Sequence, residues 1–438
     1  MNRIRTPMLL AALAAAFFAT ACDPGADDGP AGDKVLEPSA VRSALNDPFT
    51  TPMQPQLATA AGPDRFLDAW LVNTGTSTLV VGQVFDAVRA PLGPVQVWNN
   101  TTHGKIQPRA SYDPLTKRFL VTWEDLYSGT DHDVLGVITD NVGTLISSPV
   151  IDFSSFFEQQ PSVTWVGGNV NKWLVTYERF TNVQGSSDHR VRGRYVDGNG
   201  AFGLTTDMTV PSSASIFRPQ AQYVAATDRI LLSWGDLSRL FVTGASPATL
   251  VAGAASTLTV VGSHIFDLQQ SAYNSLNGLY ALAFRDVDTS QDGIRKIRLK
   301  LFPFGCESFA CTLTERPTSI TMSATITAMG GPAIAPLIPG FVLFAGQSGA
   351  NLPNGESIKF AQVNQTGVVT TSNDATIPAC AAPLWNNMAN AVIAATSTLG
   401  HSRSNLIYDS YCPVAGVSKV MGQTMNNTAI KTDFRVSD

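Results

Sequence analysis

Charged residues are scarce in this chain of 438 residues. Asp, Glu, Lys and Arg make up 14% of it, against roughly 25% in an average globular protein. Long surface helices need Glu and Lys on their outer faces, so this shortage disfavours a helical protein. The chain is instead rich in Val, Ile, Thr and aromatic residues between Gly, Asn and Asp turns, which favours antiparallel strands.

Clusters of lysine and arginine are also missing, and the formal net charge is −5. A protein that binds nucleic acid needs such clusters to neutralise phosphates, so we expect no nucleic-acid partner. Motifs of common enzyme classes are absent from the sequence too. It contains no G-x-S-x-G elbow, no H-E-x-x-H helix and no Walker loop.

The amino terminus, MNRIRTPMLLAALAAAFFATAC, has the three-part layout of a secretory signal. Two arginines precede an apolar run over residues 8–18, which is too short for a permanent membrane span. Residues 19–22 resemble the bacterial lipobox. That resemblance implies cleavage before Cys22, which then carries diacylglycerol and an N-acyl chain such as palmitate. An ordinary secreted protein with a free cysteine is the alternative.

These features divide the chain into three parts. Residues 1–21 form the predicted lipoprotein signal peptide, residues 22–49 the lipidated cysteine and a flexible tether, and residues 50–438 the folded domain. The tether is predicted from the stretch DPGADDGPAGDK, which has no apolar periodicity. The expected location is the bacterial cell envelope, at the outer or the inner membrane.

Only four cysteines follow Cys22, namely Cys306, Cys311, Cys380 and Cys412. An even number in an exported protein predicts disulfides. Sequence order makes Cys306–Cys311 and Cys380–Cys412 the simplest of three pairings, and four free thiols are the alternative. No C-x-x-C pair is present, so a metal site built from these cysteines is not expected.

One phrase returns along the chain. It reads QPRASYDPLTKRFLVTW from residue 107, QPSVTWVGGNVNKWLVTY from residue 160 and RPQAQYVAATDRILLSW from residue 218. Each copy places an aromatic residue sixteen or seventeen positions after its start. The same frame continues more weakly from residues 54, 268, 328 and 379, which gives seven units spaced by 50 to 60 residues.

Each unit contains four short apolar runs separated by polar turns. A repeat of about 50 residues with four strands is typical of a β-propeller, so the sequence predicts an all-β propeller of seven four-stranded blades. A sandwich, or a smaller propeller with a degenerate C-terminal domain, is the alternative. We expect the repeated proline to begin the innermost strand. The rings of Tyr112, Trp165, Tyr223 and Tyr273 are expected to pack between blades rather than to form a sugar-binding platform.

An aromatic residue followed by an acidic one closes the second strand of several units. The pairs are Trp123-Glu124-Asp125, Tyr177-Glu178 and, more loosely, Trp234-Gly235-Asp236. With the lipobox and the tether, these units resemble β-propeller lipoproteins and secreted proteins of Gram-negative bacteria over residues 50–438. The resemblance implies a fold and no active site, since no sialidase Asp-box, kelch Gly-Gly pair or WD40 ending is present. Glu124, Asp125, Glu178 and Asp236 are predicted to lie on one acidic rim, and their repetition favours a role in blade structure or on a solvated face over a functional one.

Two metal sites are conceivable from the sequence. Asp286, Asp288, Ser290 and Asp292 precede a glycine in DVDTSQDG, a spacing of oxygen ligands that suits Ca²⁺. Leu299 stands where an EF-hand needs glutamate, so that motif is excluded, and a plain polar turn is the alternative. His132 and His189 occupy matching loops, but a shared metal is the weaker interpretation because imidazole sites usually take three protein ligands.

The sequence favours a binding scaffold over an enzyme. The predicted innermost strands contain a single carboxylate, Asp113, and no histidine, which disfavours catalysis near the centre of the ring. The first hypothesis is therefore a lipid-anchored scaffold for a protein or glycan partner. The alternative is a carbohydrate-active hydrolase or lyase that uses rim carboxylates or calcium. No cofactor other than calcium is expected.

Overall fold

The computed structural model describes most of the predicted folded domain. The described residues are 57–73, 78–87, 90–99, 103–128, 131–181, 188–212, 214–236, 239–259, 264–275, 277–288, 294–303, 316–320, 328–337, 340–348, 356–376, 392–398, 401–412, 417–426 and 429–435. Every element in them is a β-strand, which confirms the all-β class. In these ranges the chain has no helix long and apolar enough to cross a membrane.

The strands form six hydrogen-bonded sheets made of antiparallel meanders. The first sheet contains β1 (Leu57–Ala61), β2 (Arg65–Asn73), β3 (Thr78–Asp86) and β4 (Gln96–Asn99). The second contains β5 (Gly104–Asp113), β6 (Arg118–Ser128), β7 (Asp131–Thr139), β8 (Leu145–Ser147), β9 (Val150–Asp152), β10 (Phe157–Val166), β11 (Lys172–Phe180), β12 (Arg190–Val196) and β13 (Thr206–Asp207). It joins two meanders, β5 to β9 and β10 to β13, through one parallel pairing between His132 and Phe157.

The remaining four sheets have four strands each. The third contains β14 (Phe217–Val224), β15 (Arg229–Gly235), β16 (Arg239–Ala245) and β17 (Ser256–Thr259), and the fourth contains β18 (His264–Asn274), β19 (Leu279–Asp288), β20 (Ile294–Pro303) and β21 (Arg316–Ile320). The fifth contains β22 (Ala328–Leu337), β23 (Gly340–Ser348), β24 (Glu356–Val363) and β25 (Val369–Thr376). The sixth contains β26 (Val392–Thr398), β27 (His401–Cys412), β28 (Val417–Asn426) and β29 (Ala429–Arg435).

Apolar side chains fill the space between consecutive meanders. Leu67 and Trp98 from the first sheet pack with Phe119 and Trp123 from the second, and similar clusters follow along the chain. The rings of Tyr112, Trp165, Tyr223 and Tyr273 pack against these clusters, which confirms their predicted role. Burial of these faces is the main source of stability, because apolar area removed from water contributes about 25 cal/mol per Å².

The first strand of each meander lies against the first strand of the next. These contacts run in order through β1, β5, β10, β14, β18, β22 and β26, and β26 also contacts β1. The C-terminal segment supplies β29, the outermost strand of the last sheet.

The repeated proline lies inside the first strand and not at its beginning, which corrects the expectation from sequence. Gln107, Gln160 and Arg218 precede it with φ of 55°, 56° and 48°, and the pairing register shifts at each of these positions. A β-bulge removes the need for a ladder donor, so proline is tolerated there. The N–H of Gln160 donates to Oε2 of Glu124 at 2.9 Å, and the N–H of Arg218 donates to Oε1 of Gln160 at 2.6 Å. Side chains of the preceding meander therefore hold the bulges at Gln160 and Arg218 in place.

The frame predicted for the last unit is wrong. The sequence placed its second strand at residue 395, but Ala395 lies in the first strand, β26, and β27 follows as the second. This unit has neither the proline nor the aromatic residue of the repeat. Its frame was therefore placed from the spacing alone, and the predicted second strand is about one strand out of position.

Candidate functional site

Two aspartates face each other where β6 ends and β7 begins. Asp125 on β6 is the Cα partner of Asp133 on β7. Directly opposite residues in an antiparallel pair point to the same face, with Cβ atoms about 4.5–5.5 Å apart. Both are nearly buried, with 2% and 7% of their surfaces exposed. A bulge in β6 follows directly after Asp125 and ends the regular pairing there.

Positive and hydrogen-bonding groups surround Asp125. Nδ1 of His103 lies 2.7 Å from its Oδ2, and Nζ of Lys105 lies 3.7 Å from its Oδ1. The Lys105 ammonium also donates to the carbonyl oxygen of His103 at 2.9 Å. Burial lowers the pKa of Lys105, while the charge of Asp125 opposes that effect. The buried ammonium therefore compensates the charge of the Asp125 carboxylate.

Asp133 has the opposite environment. The pKa of Asp133 is raised to about 6, mainly by burial and in addition by the charges of Asp131, Asp125 and Asp152, with His103 opposing. Within the described part of the chain, Oδ1 of Asp133 has no hydrogen-bond partner. Asp133 thus carries a proton in part of its population near neutral pH.

The two environments separate the roles of two adjacent carboxyl groups. A carboxylate beside an ammonium and a carboxylic acid with a raised pKa are the pair that glycoside hydrolysis needs. Retaining enzymes place the two carboxyl groups about 5–5.5 Å apart, and inverting enzymes about 6.5–9.5 Å. Opposite positions on paired strands correspond to the shorter separation.

A second carboxyl pair lies on the other side of β7. Asp152 on β9 pairs with Val134, and its Oδ2 accepts a hydrogen bond from the Tyr177 hydroxyl and lies 3.4 Å from Nη1 of Arg192. Glu158 on β10 is fully buried. The pKa of Glu158 is raised to about 8, mainly by burial and in addition by the charges of Asp152 and Asp133, while the hydrogen bond from Ser154 opposes this. Ser154 donates to Oε1 of Glu158.

Asp125, Asp131, Asp133, Asp152 and Glu158 together form the acidic cluster. Only Asp125 was among the rim residues predicted from the sequence. Glu158 lies in a first strand, because β10 begins before the repeated phrase, so the prediction that these strands carry a single carboxylate is wrong. Asp113, the carboxylate that the sequence did place there, accepts hydrogen bonds from Leu115 N and Thr116 in the turn after β5. The sequence offered one indication that Asp133 belongs to this cluster, namely its position near the start of the strand that follows Asp125.

The predicted rim residues Glu124 and Glu178 join neighbouring meanders. Glu178 Oε1 accepts from the N–H of Ile216 at 2.7 Å and lies 2.7 Å from Nδ1 of His189, and Oε2 accepts from Gln159. Glu124 makes the equivalent contacts, with His132 at 2.8 Å and with the N–H of Gln160. Both carboxylates are buried and fully engaged, so their role is structural.

Replacing Glu178 with alanine is expected to lower the free energy of unfolding by about 2–4 kcal/mol, because it leaves the buried N–H of Ile216, His189 and Gln159 without their acceptor. Glu178→Gln keeps one acceptor oxygen and is expected to cost about half as much. Urea unfolding followed by tryptophan fluorescence measures both. Equal stability of Glu178→Ala and the unmodified chain would contradict this role.

The structure does not bring His132 and His189 together at a shared metal site. His132 and His189 contact separate glutamates, Glu124 and Glu178. A row of ring contacts separates the two histidines: His132 meets Phe157 edge-on at 4.6 Å between centroids, Phe157 stacks on Phe180 at 4.8 Å and Phe180 stacks on His189 at 4.5 Å. No group of three or more His, Cys, Asp or Glu in the described ranges is placed to hold a metal ion.

Of the other predicted site residues, Asp236 and Asp286 are described in full, and the rest lie partly or wholly outside the described residues. Asp236 pairs with Arg239 across the turn between β15 and β16, away from the acidic cluster. In the calcium loop, Asp286 is buried and pairs with Arg298, Asp288 ends β19, and Ser290 and Asp292 are not described. Cys22, Cys306, Cys311 and Cys380 are likewise outside, and only the backbone of Cys412 is described, in β27. The lipid anchor, the disulfides and the calcium loop stay predictions.

No family model matches this chain, and no curated protein does. Among solved structures, it is similar to an α-L-arabinanase of Penicillium chrysogenum complexed with arabinobiose, with 10% identity over 74% of this chain and 94% of that one and a TM-score of 0.48. It is also similar to the GH93 α-L-arabinofuranosidase of Fusarium graminearum in complex with arabinobiose, with 12% identity, coverage of 73% and 92%, and a TM-score of 0.46. A third similar structure is a leech intramolecular trans-sialidase, with 11% identity over 90% of this chain and 70% of that one and a TM-score of 0.43.

These structures are of carbohydrate-active enzymes, and such an enzyme is the alternative to a binding scaffold in the sequence analysis. At these identities and TM-scores, no functional residue is carried over from them.

Proposed function

We propose that this chain hydrolyses glycosidic bonds with retention of configuration, with Asp125 as the nucleophile and Asp133 as the acid and base. One observation carries the proposal. Two carboxyl groups occupy opposite positions on paired strands, one beside the Lys105 ammonium and the other with a pKa raised to about 6. A binding scaffold does not require this separation of protonation states, whereas a glycosidase does.

The reaction follows from these two environments. The Asp133 carboxylic acid donates its proton to the glycosidic oxygen as the bond from that oxygen to the anomeric carbon breaks. The Asp125 carboxylate attacks the anomeric carbon from the opposite face and forms a glycosyl ester. The Asp133 carboxylate then removes a proton from water, the water oxygen attacks the same carbon, and Asp125 is released. Lys105 and His103 contact the Asp125 carboxylate and position it, and neither exchanges a proton or a bond with the substrate.

The proposed scaffold for this site is a closed propeller of seven blades. Its support is the order in which first strands contact one another, from β1 through β26 and back to β1, and the division of the nine-stranded sheet into two meanders. In such a ring the ends of the second strands and the starts of the third strands share one rim. Loops on one rim of a rigid scaffold are where catalytic residues usually lie.

Export and anchoring are part of the same proposal. A lipid on Cys22, followed by the tether of residues 22–49, holds the folded domain at the cell envelope, where glycans of the surface and the surroundings are within reach. The support is the layout of the first 22 residues.

Hydrolysis is tested with chromogenic aryl glycosides of pentofuranoses, pentopyranoses, hexopyranoses and sialic acid. The full chain is expected to release the aryl group from at least one of them, and the Asp125→Asn/Asp133→Asn double variant is expected to lose more than about 10³-fold in rate. Asp64→Asn is the matched control, because Asp64 is 64% exposed and pairs with Arg65 at the surface. A folded chain that is inactive on the whole panel, or a double variant as active as the control, contradicts the proposal.

A further inference from the structure

Three large aromatic side chains are exposed in the described residues. Tyr127, Phe153 and Phe202 expose 55%, 74% and 48% of their surfaces. Phe202 has a partner, since the Arg194 guanidinium stacks on its ring at 3.8 Å. Tyr127 and Phe153 both follow a residue of the acidic cluster, Tyr127 two positions after Asp125 and Phe153 directly after Asp152. Single exposed apolar groups are common on protein surfaces, but these two border the same cluster.

The ring of Tyr127 is fixed beside the proposed nucleophile. The His103 ring meets it edge-on, with centroids 4.9 Å apart and planes at 81°. The same His103 contacts Asp125 through Nδ1 at 2.7 Å. An edge-on contact holds an aromatic ring and leaves one of its faces open. Tyr127 therefore presents a flat apolar face at a set position relative to Asp125.

Phe153 borders the cluster on the side of Asp152. The N–H of Phe153 donates to Oδ1 of Asp152 at 3.0 Å, which fixes the backbone at this point. Asp133 lies on β7, which pairs with β6 on the side of Asp125 and with β9 on the side of Asp152. Each of these two carboxylates has one of the exposed aromatic residues close to it in the chain. The cluster also holds buried oxygens without partners in the described chain, Oδ1 of Asp133 and Oε2 of Glu158.

We infer that Tyr127 and Phe153 bind sugar rings on either side of Asp133, so that the substrate is a glycan chain of several units rather than a single terminal sugar. The inference rests on the proposed function, since it assigns the substrate class of the same site. The two faces of a sugar ring present C–H groups that pack on an aromatic ring, while its hydroxyls donate to carboxylates. Exposed aromatic rings next to buried acceptors match that chemistry. A protein partner would be expected to prefer a larger apolar area around each ring.

The first measurement compares a short and a long substrate. Tyr127→Ala and Phe153→Ala are each expected to lower kcat/KM about tenfold on an oligosaccharide of four to six units. On the aryl glycoside of the same single sugar, we expect changes below about threefold. Tyr127→Trp keeps a stacking face and is expected to restore the oligosaccharide rate. Phe202→Ala is the matched control and is expected to change neither rate.

The second measurement needs no catalysis. The chain is run through gels that contain soluble arabinan, xylan, galactan or polysialic acid, and retardation is compared between variants. Retardation that Tyr127→Ala or Phe153→Ala weakens, and Phe202→Ala does not, supports the inference even if no glycoside is hydrolysed. No retardation by any of the four polymers overturns it.

The outcomes separate the inference from the proposed function. If both alanine variants bind and hydrolyse like the unmodified chain while the double aspartate variant is inactive, the stacking role is wrong and the proposed function stands. If aryl glycosides are never hydrolysed but polymers bind through Tyr127, the catalytic proposal fails and the glycan surface stands.

Discussion

Asp133→Asn is expected to lower kcat/KM about 10³-fold on glycosides with poor leaving groups, such as methyl glycosides. The side chain can no longer donate a proton to the departing oxygen. On a 2,4-dinitrophenyl glycoside the loss should be about tenfold or less, because that leaving group departs without protonation. The pH profile adds an independent readout. A pKa of about 6 for Asp133 means that kcat/KM of the unmodified chain declines as pH rises through about 6.

Asp125→Asn provides the contrast. The proposed nucleophile is needed for every leaving group, so both substrate classes should lose about 10³-fold or more. Rates on the two glycosides, measured from pH 4 to 9, distinguish the roles. Losses of equal size on both substrates in Asp133→Asn would remove it from the acid role. A rate of the unmodified chain that is constant from pH 5 to 8 would contradict the titration on which the assignment depends.

Glu158→Gln is expected to make the protein more stable at alkaline pH. The pKa of Glu158 rises from 4.5 to about 8 in the folded chain, mainly through burial. In the unfolded chain this group ionises near its ordinary pKa. The contribution of Glu158 to the free energy of unfolding is therefore fully present below about pH 4.5 and is lost as pH rises through about 8. Each pKa unit corresponds to about 1.4 kcal/mol, so the expected loss is several kcal/mol.

The glutamine variant removes that dependence. Its amide keeps an oxygen that can accept from Ser154, and it has no charge to bury. Urea unfolding at pH 5, 7 and 9 should show a falling stability for the unmodified chain and a flatter profile for Glu158→Gln. Asp64→Asn, at an exposed position, should follow the unmodified chain between pH 7 and 9. Parallel profiles for Glu158→Gln and the unmodified chain would show that Glu158 is not buried as a neutral acid.

The strands were predictable because hydrophobic spacing and turn residues are local properties. RFLVTW and KWLVTY become β6 and β11, and their aromatic residues are buried as expected. The bulges were not predictable. Whether Gln160-Pro161 begins a strand or interrupts it depends on the Glu124 side chain of the preceding meander, which accepts from the N–H of Gln160, and that contact is not local.

The candidate site shows the same limit. Glu124 and Asp125 are adjacent in sequence and were predicted as one acidic rim, but strand alternation directs them to opposite faces. Glu124 meets His132 and Gln160, whereas Asp125 meets His103 and Lys105. Only the pairing register of β6 and β7 shows that Asp133 lies opposite Asp125. Glu158 belongs to no repeated pattern, so nothing in its sequence context signalled a buried acid.

The hydrogen bonds at the bulges of Gln160 and Arg218 favour folding of the meanders in order from the amino end. The acceptor for the N–H of Gln160 comes from the meander before it, and Gln160 in turn supplies the acceptor for Arg218. The ribosome makes the chain from its amino end. The acceptors for the N–H groups of Gln160 and Arg218 are therefore synthesised before the strands that need them. A circular permutant that starts at residue 157 would instead begin with a bulge whose acceptor, Glu124, is made last. Such a permutant should refold slowly even if its final structure is unchanged.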